Sequence, residues 1–412
     1  MNYLFTGEES LLPNGWKLVR MADVVRETQY GTSDRANSEE NGLPVLRMNN
    51  ITYSGHIDLS NIKWCPILEK DEEKFTVRRG DLLFNRTNSP ELVGKTAVWE
   101  SDEKYAFAGY LIRVRFKPEL ALSNYVSTYL NSPYGKTYLF NKAKPSINMS
   151  NISASEFLKI PLPLPPIEEQ RRIAAILDKA DAVRRKRKEA IALTEELLRS
   201  AFLEMFGNPV TNPKGWDVVP LGDISKVKGG LQVTPKRKDN PIEVPYLRVA
   251  NVYRDQLVLD EVKLIRVTPE ELERTALCTG DLLIVEGHGN SQEIGRSSVW
   301  DGSISNCTHQ NHLIRVILDS KRAEPTYISA FLNSSGGRRQ LIQFGKTTSG
   351  LNTISTSNVK ATKVLLPPVS EQKKYADLKQ KTAVCLGKHQ KHFQNTNNLF
   401  NSLLQRAFRG EL

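Results

Sequence analysis

The chain has 412 residues, a formal charge of +11, and 39% apolar and 25% charged residues. That length supports two or three domains, each able to bury its own core, and no apolar window is long enough to span a bilayer. The excess of cations points to polyanionic partners, nucleic acid before acidic membrane.

The opening residues, Met1-Asn2-Tyr3-Leu4-Phe5-Thr6-Gly7-Glu8-Glu9, have neither a basic nor an apolar stretch, so no signal peptide is expected. Cys65, Cys278, Cys307 and Cys385 form no Cys-x-x-Cys pair. So sparse a set predicts reduced thiols in a cytosolic protein.

An internal repeat organises the chain. Pro13-Asn14-Gly15-Trp16 returns as Pro213-Lys214-Gly215-Trp216. Leu43-Pro44-Val45-Leu46-Arg47-Met48-Asn49-Asn50 returns as Val244-Pro245-Tyr246-Leu247-Arg248-Val249-Ala250-Asn251. Gly80-Asp81-Leu82-Leu83 answers Gly280-Asp281-Leu282-Leu283, and Leu111-Ile112-Arg113-Val114 answers Leu313-Ile314-Arg315-Val316. Tyr129-Leu130-Asn131-Ser132 answers Phe331-Leu332-Asn333-Ser334. The offset stays between 200 (Pro13 to Pro213) and 202 (Leu111 to Leu313).

Within each unit, residues 79–84, 96–99 and 110–116 read as strands from their branched and aromatic content after turn signals. Residues 123–131 and 326–333 read as short helices. Residues 163–207 then run from Pro163-Leu164-Pro165-Pro166 into forty residues free of Pro and Gly, which predicts one continuous helix. Pro367-Pro368 opens a second such run that closes at Ala407-Phe408-Arg409-Gly410. The chain therefore divides into a globular domain at 1–162, a long helix at 163–207, a second globular domain at 208–365 and a second long helix at 366–412. The fold class is α+β, with an internal pseudo-two-fold repeat and two long antiparallel coiled-coil helices.

The long helices carry a seven-residue repeat. Ile173, Ala180, Arg187, Thr194 and Ala201 lie beside Ile176, Val183, Ala190 and Leu197. Tyr375, Thr382, His389, Thr396 and Leu403 lie beside Leu378, Cys385, His392 and Leu399. The expected helix-pair interface is Ile173, Ile176, Ala180, Val183, Arg187, Leu197, Leu378, Cys385, His389, His392, Leu399 and Leu403. Its polar middle, Arg187 with His389 and His392, is expected to fix the register of an antiparallel pair.

Signals for chemistry are weak. Asn131-Ser132-Pro133-Tyr134 is similar to the Asn-Pro-Pro-Tyr box of adenine-N6 methyltransferases, but Ser replaces the first Pro and the second unit has Asn333-Ser334-Ser335-Gly336. It reads as a helix C-terminus; a stand-alone methyltransferase stays open as the alternative, as does a protein-binding coiled-coil adaptor. Gly287-His288-Gly289-Asn290 lacks the Lys-Ser/Thr of a phosphate loop. Cys307, His309 and His312 match no zinc spacing, so no metal and no catalytic residue is expected.

The polar loops differ between units while the scaffold motifs repeat. Arg, Lys, Asn, Gln, Ser and Thr side chains hold phosphates and read base edges. The candidate DNA-binding residues in the first unit are Tyr30, Thr32, Ser33, Arg35, Arg47, Asn49, Asn85, Arg86, Thr87, Asn88, Lys144 and Ser146. In the second they are Gln232, Thr234, Lys236, Arg237, Arg248, Asn251, His288, Asn290, Gln292, Lys346, Thr347 and Thr348. The basic run Arg184-Arg185-Lys186-Arg187-Lys188 reads as a solvated face or as a contact with phosphate or an acidic partner.

Pro165-Pro166-Ile167-Glu168-Glu169-Gln170, its counterpart Pro367-Pro368-Val369-Ser370-Glu371-Gln372, the Gly-Asp-Leu-Leu pair and the closing Arg406-Ala407-Phe408-Arg409-Gly410-Glu411-Leu412 resemble the specificity subunit of type I restriction–modification systems. The resemblance covers nearly the whole chain. It implies two target recognition domains, each reading half of a split double-stranded DNA site, and a spacer of two antiparallel helices. It implies no catalysis and no cofactor in this chain. The expected partners are two methyltransferase subunits using S-adenosylmethionine and two restriction subunits using ATP and Mg, in a prokaryotic cytoplasm.

Overall fold

The computed structural model describes residues 12–89, 92–142, 144–146, 149–348 and 351–412, without the side chains of 144–146, 149 and 346–348. The opening stretch read for a signal peptide lies outside these residues, as do the side chains of Lys144, Ser146, Lys346, Thr347 and Thr348. Two compact units form, one from residues 1–188 and 391–412, the other from residues 189–390.

The repeat is present strand for strand. In the first unit a four-stranded antiparallel sheet runs in the order Val25–Tyr30, Leu111–Phe116, Leu82–Asn85, Thr96–Val98. In the second the order is Ser225–Gly229, Leu313–Leu318, Leu282–Val285, Ser297–Val299. Alternation along the inner strand sends Leu82 and Phe84 to one core and Leu83 to another; Leu282 and Ile284 part from Leu283 and Val285 in the same way. Both faces of each sheet are therefore buried, which is why these strands read as apolar runs. A three-stranded sheet follows in each unit, with Leu43–Leu46 parallel to Ala106–Phe107 and Ile242–Leu247 parallel to Thr308–His309.

The repeated Gly-Asp-Leu-Leu motif is a turn that delivers a buried carboxylate. Gly80 and Gly280 sit at φ of +90° and +91°, a conformation open to glycine. The next residue accepts a backbone N–H across the turn, Asp81 from Arg78 at 2.9 Å and Asp281 from Cys278 at 2.6 Å. Asp281 also takes the Nε–H of Arg315 at 2.8 Å. Asp81 instead takes Arg115 at 2.8 and 3.1 Å, and Arg113, 2% exposed, turns to Glu27 at 2.6 Å and to the Thr76 carbonyl. In the second unit the repeated Gly-Asp and Arg motifs are thus two halves of one cross-strand ion pair; in the first, Arg115 takes that place and Arg113 comes only to 3.9 Å of Asp81.

Each long helix starts directly after its Pro-Pro. The central helix, Ile167–Phe206, has 40 residues and the C-terminal helix, Val369–Ala407, has 39, each about 60 Å long at 1.5 Å per residue. Gln170 and Gln372 explain why the Glu-Gln recurs. Both are fully buried. Gln170 donates to the carbonyls of Leu120 (2.8 Å) and Pro165 (2.9 Å) and accepts the Leu122 N–H at 2.9 Å. Gln372 donates to Arg322 (3.1 Å) and Pro367 (2.7 Å) and accepts the Glu324 N–H at 2.9 Å. One amide side chain thus fastens each helix start to the turn in front of the domain's own helix, Ser123–Asn131 or Pro325–Asn333.

In the first unit the start of the central helix packs against the end of the C-terminal helix: Ile173 and Leu177 share a core with Leu404, Ala407 and Phe408. Further along, the Arg184 guanidinium lies 4.4 Å over the Phe400 ring. The helices therefore run antiparallel there. In the second unit the roles exchange, and Phe202 and Phe206 meet Tyr375 edge-on.

The buried stripe corrects the predicted seam. Ile173, Ala180, Arg187, Thr194, Ala201, Tyr375, Thr382, His389, Thr396 and Leu403 are buried or half-buried. The second line runs one residue later than predicted in both helices, through Leu177, Arg184, Ile191 and Leu198 and through Lys379, Leu386, Phe393 and Phe400. Val183, Leu197 and Leu399 are 47, 55 and 56% exposed, Cys385 and His392 face solvent, and Ile176, Ala190 and Leu378 are half-buried. The reason is Arg184. A charged residue speaks against a seam line in the sequence, yet its stem lies along the stripe while its head is paired with Asp181 and stacked on Phe400.

A hairpin in each unit clasps its helix through one polar side-chain pair, with the acid on the helix in the first unit and on the hairpin in the second. His56 Nε2 meets Asp181 Oδ2 at 2.6 Å in the first unit, and Lys379 Nζ meets Asp255 Oδ1 at 2.8 Å in the second. Burial works against ionisation of Asp181, but its bonds to His56 and the charge of Arg184 hold the carboxyl below its ordinary range.

Two stability measurements check this. Gln170→Leu leaves the buried Pro165 carbonyl and the part-buried Leu122 N–H without their partner, at about 1–3 kcal/mol for a buried group, so its urea midpoint should fall below that of the parent. Leu177→Asp should cost about 3 kcal/mol or more, whereas Val183→Asp should stay within about 0.5 kcal/mol of the parent; equal losses would restore the earlier seam.

Candidate nucleic-acid interface

In the first unit the fold draws three predicted loops together. The strand Leu82–Asn85 continues through Arg86 into Thr87–Asn88, which pairs with Met149–Asn151, which in turn pairs with Lys144–Ser146. Tyr30 closes the strand Val25–Tyr30, is 39% exposed, and lies under the Arg86 guanidinium at 4.7 Å. Its hydroxyl accepts the Ala154 N–H at 2.9 Å. Arg86 reaches Asn151 Oδ1 at 3.4 Å. Tyr30, Arg86, Asn88 and the paired strands Lys144–Ser146 and Met149–Asn151 thus form one corner, with Ser33 and Arg35 exposed on the loop that leaves it.

Other candidates of this unit are turned inward. Asn85 is fully buried, Thr87 is buried, and the Thr32 hydroxyl donates to Asp34 at 2.8 Å. Arg47 donates to the Asn61 carbonyl at 2.7 Å. Asn49 is exposed, while its neighbour Asn50 is buried and organises the turn.

The second unit repeats the corner. Gly287–His288 pairs with Leu351–Thr353, which pairs with Lys346–Thr348. His288 Nδ1 accepts the Asn290 N–H at 3.0 Å, and Asn290 and Gln292 face solvent. Gln232 and Lys236 are exposed and Thr234 is half-exposed. Arg237 is committed to Glu271 at 2.8 and 3.0 Å. Arg248 donates to the Glu261 carbonyl at 3.3 Å, and Asn251, 2% exposed, donates to the carbonyls of Val258 and Glu261. Arg47 with Asn50 and Arg248 with Asn251 are therefore the same internal turn, built twice.

One residue at this corner was missed. Glu286 holds the position of Arg86, after the inner strand and before the short strand, with His312 at 3.5 Å. Burial pushes its carboxyl above the ordinary range, and His312 partly offsets that. Selecting for cations and amides passed over it; the offset of 200 between Arg86 and Glu286 would have found it.

The methyltransferase-like Asn-Ser has a structural use. Asn131 Nδ2 donates to the Thr96 carbonyl at 2.9 Å, and Asn333 Nδ2 to the Ser297 carbonyl at 2.9 Å. Each clamps a helix end to the edge strand of its sheet. Cys307 and His309 are buried; burial pushes the thiol up to about 12 and the imidazole down to about 3. Among the described residues no three His, Cys, Asp or Glu side chains are placed to hold a metal ion, and no helix is long and apolar enough to cross a membrane. In the basic run, Arg184 and Arg185 both pair with Asp181, while Lys186 and Lys188 face solvent.

Lys136 stands beside the first corner's scaffold with its Nζ over the Tyr53 ring at 4.7 Å and no hydrogen-bond partner among the described residues. Burial, with Lys95 adding repulsion, pushes its pKa down to about 8. A free lysine titrates near 10.4, so between about 8 and 10.4 the unfolded chain binds more protons and stability rises with pH. Lys136→Met should be more stable than the parent at pH 7 by about 1 kcal/mol, less than the full pKa difference implies because the residue as a whole is only half-buried. The gap should close by pH 10; melting curves at pH 7, 8.5 and 10 check it.

Known proteins resemble the chain along both repeats. The family model described as "Type I restriction modification DNA specificity domain" matches twice, at residues 13–193 and 213–382. The chain is 28% identical over 431 aligned residues to the type I restriction enzyme EcoKI specificity subunit of Escherichia coli (strain K12), covering 97% of this chain and 90% of that protein. It is 24% identical over 424 aligned residues to the StySPI specificity subunit of Salmonella potsdam, with the same coverage of each. The crystal structure of the type I restriction–modification S subunit from M. genitalium shares the fold, with a TM-score of 0.60 at 13% identity over 96% of this chain and 97% of that one. The chain belongs to the type I restriction–modification specificity subunits, the non-catalytic members of these systems that recognise the DNA target.

Proposed function

We propose that this chain reads an asymmetric, bipartite DNA site. One half is read by the domain within 1–162 and the other by the domain within 208–365, and the helices at 163–207 and 366–412 set their separation. The observation that carries this reading is the duplicated scaffold whose differences gather at one polar corner per unit. A shared scaffold with unlike corners suits two unlike half-sites. The two corners supply the contacts; candidates committed to internal bonds, such as Arg237 and Asn251, hold their own turns in shape.

The chain docks two methyltransferase subunits, and restriction subunits join them, in a prokaryotic cytoplasm. S-adenosylmethionine, ATP and Mg belong to those partners. The salt dependence of binding follows from the phosphate contacts that a +11 chain makes.

Sequencing methylated adenines in a host with and without this chain tests the reading. The expected motif is two short specified stretches around an unspecified spacer. Removing four residues, about 6 Å of helix, from each long helix should shorten the spacer and leave both specified stretches intact. A single continuous motif, or a spacer indifferent to helix length, overturns the proposal.

A further inference from the structure

The two corners differ most sharply at one backbone position. Arg86 and Glu286 each follow the inner strand of the four-stranded sheet and precede the short strand that pairs with the polar hairpin. Their backbones make the same bonds. The Arg86 N–H donates to the Tyr110 carbonyl at 3.0 Å and the Glu286 N–H to the His312 carbonyl at 2.9 Å. The Ile152 N–H donates to the Arg86 carbonyl and the Ile354 N–H to the Glu286 carbonyl, both at 2.9 Å. The two side chains thus leave equivalent positions with opposite charge.

Neither is used up by the fold. Arg47, Arg237, Arg248 and Arg254 are all bound to carbonyls or carboxylates of their own domain. Arg86 pairs with no carboxylate among the described residues. It rests on the face of Tyr30, with one bond of 3.4 Å to Asn151 and its Nε closed off without a partner. Stacking holds the guanidinium plane while leaving its terminal donors free. Among the described residues Glu286 pairs with His312 alone, at 3.5 Å, which leaves carboxylate oxygen available as acceptor.

We infer that Arg86 and Glu286 are corresponding base-reading residues, Arg86 donating to a guanine and Glu286 accepting from a cytosine, each in the major groove of its own half-site. A guanidinium fork matches the N7 and O6 acceptors of guanine, and a carboxylate matches the N4 amine of cytosine. The half-sites then differ at this position by exchange of the two members of a G·C pair. This rests on the bipartite reading proposed above and goes beyond it by assigning two bases to two residues.

The test uses the full chain co-expressed with its methyltransferase subunits, with methylated motifs read by genome sequencing for Arg86→Ala, Arg86→Lys and Glu286→Gln. Arg86→Ala should lower preference for guanine at one position of one half-site by roughly 10- to 100-fold and leave the other half-site unchanged. Arg86→Lys keeps the charge on Tyr30 but not the fork; it should lose the same preference and retain overall methylation, and it decides the matter should the alanine variant not fold. Glu286→Gln should relax a cytosine in the opposite half-site. Unchanged base preferences with evenly weakened methylation would mark phosphate contacts and overturn the assignment, as would both variants altering the same half-site. A motif that is not bipartite in the parent would instead overturn the earlier reading.

Discussion

Everything in this molecule depends on a buried glutamine amide at the start of each long helix. Gln170 and Gln372 each bond two carbonyls and one N–H, one of those carbonyls, of Pro165 or Pro367, in the interior. Prolines at the preceding positions end the last strand and leave the helix to begin at once. The direction of the helix is therefore tied to the domain by hydrogen bonds whose loss is costly, in addition to the apolar packing of Ile173 and Leu177 or of Tyr375. The proposed role of these helices, setting the separation of two DNA-reading domains, calls for that kind of attachment.

Aromatic packing completes the attachment from the other helix. Phe408 lies against Tyr125 and Tyr129, whose hydroxyls donate to the Pro163 and Pro161 carbonyls. Phe202 stacks on Tyr327, whose hydroxyl donates to the Leu365 carbonyl. The closing Ala-Phe of each helix thus docks on the domain that the other helix begins from. The charge clasps add discrimination: His56 faces an acid on its helix, and Asp255 faces a base. Placed against the wrong helix, each hairpin would lose its partner.

The repeat and the long helices were legible because both are patterns of spacing, which the sequence displays directly. The cross-strand pairing of Asp81 and Asp281 was legible only as two separate motifs, since strand order is a tertiary fact. Burial was the least legible. Asn85, Thr32 and Asn251 have the composition of loop residues, and what removes them from the surface is the position of strands hundreds of atoms away. The seam slipped by one residue because Arg184 hides its stem and pairs its head. Glu286 was overlooked because charge sign served as a filter where position in the repeat was the better guide.

The division of the chain into units carries a consequence for synthesis. The second unit is one unbroken stretch, residues 189–390, and has all of its core once that stretch leaves the ribosome. The first unit is made first yet finished last, because Leu404, Ala407 and Phe408 belong to its core. With domains folding in order of completion, the earlier-translated half waits, its apolar face uncovered for some two hundred codons, roughly ten to forty seconds at bacterial elongation rates. The C-terminal helix end is thus the latch that ends the wait.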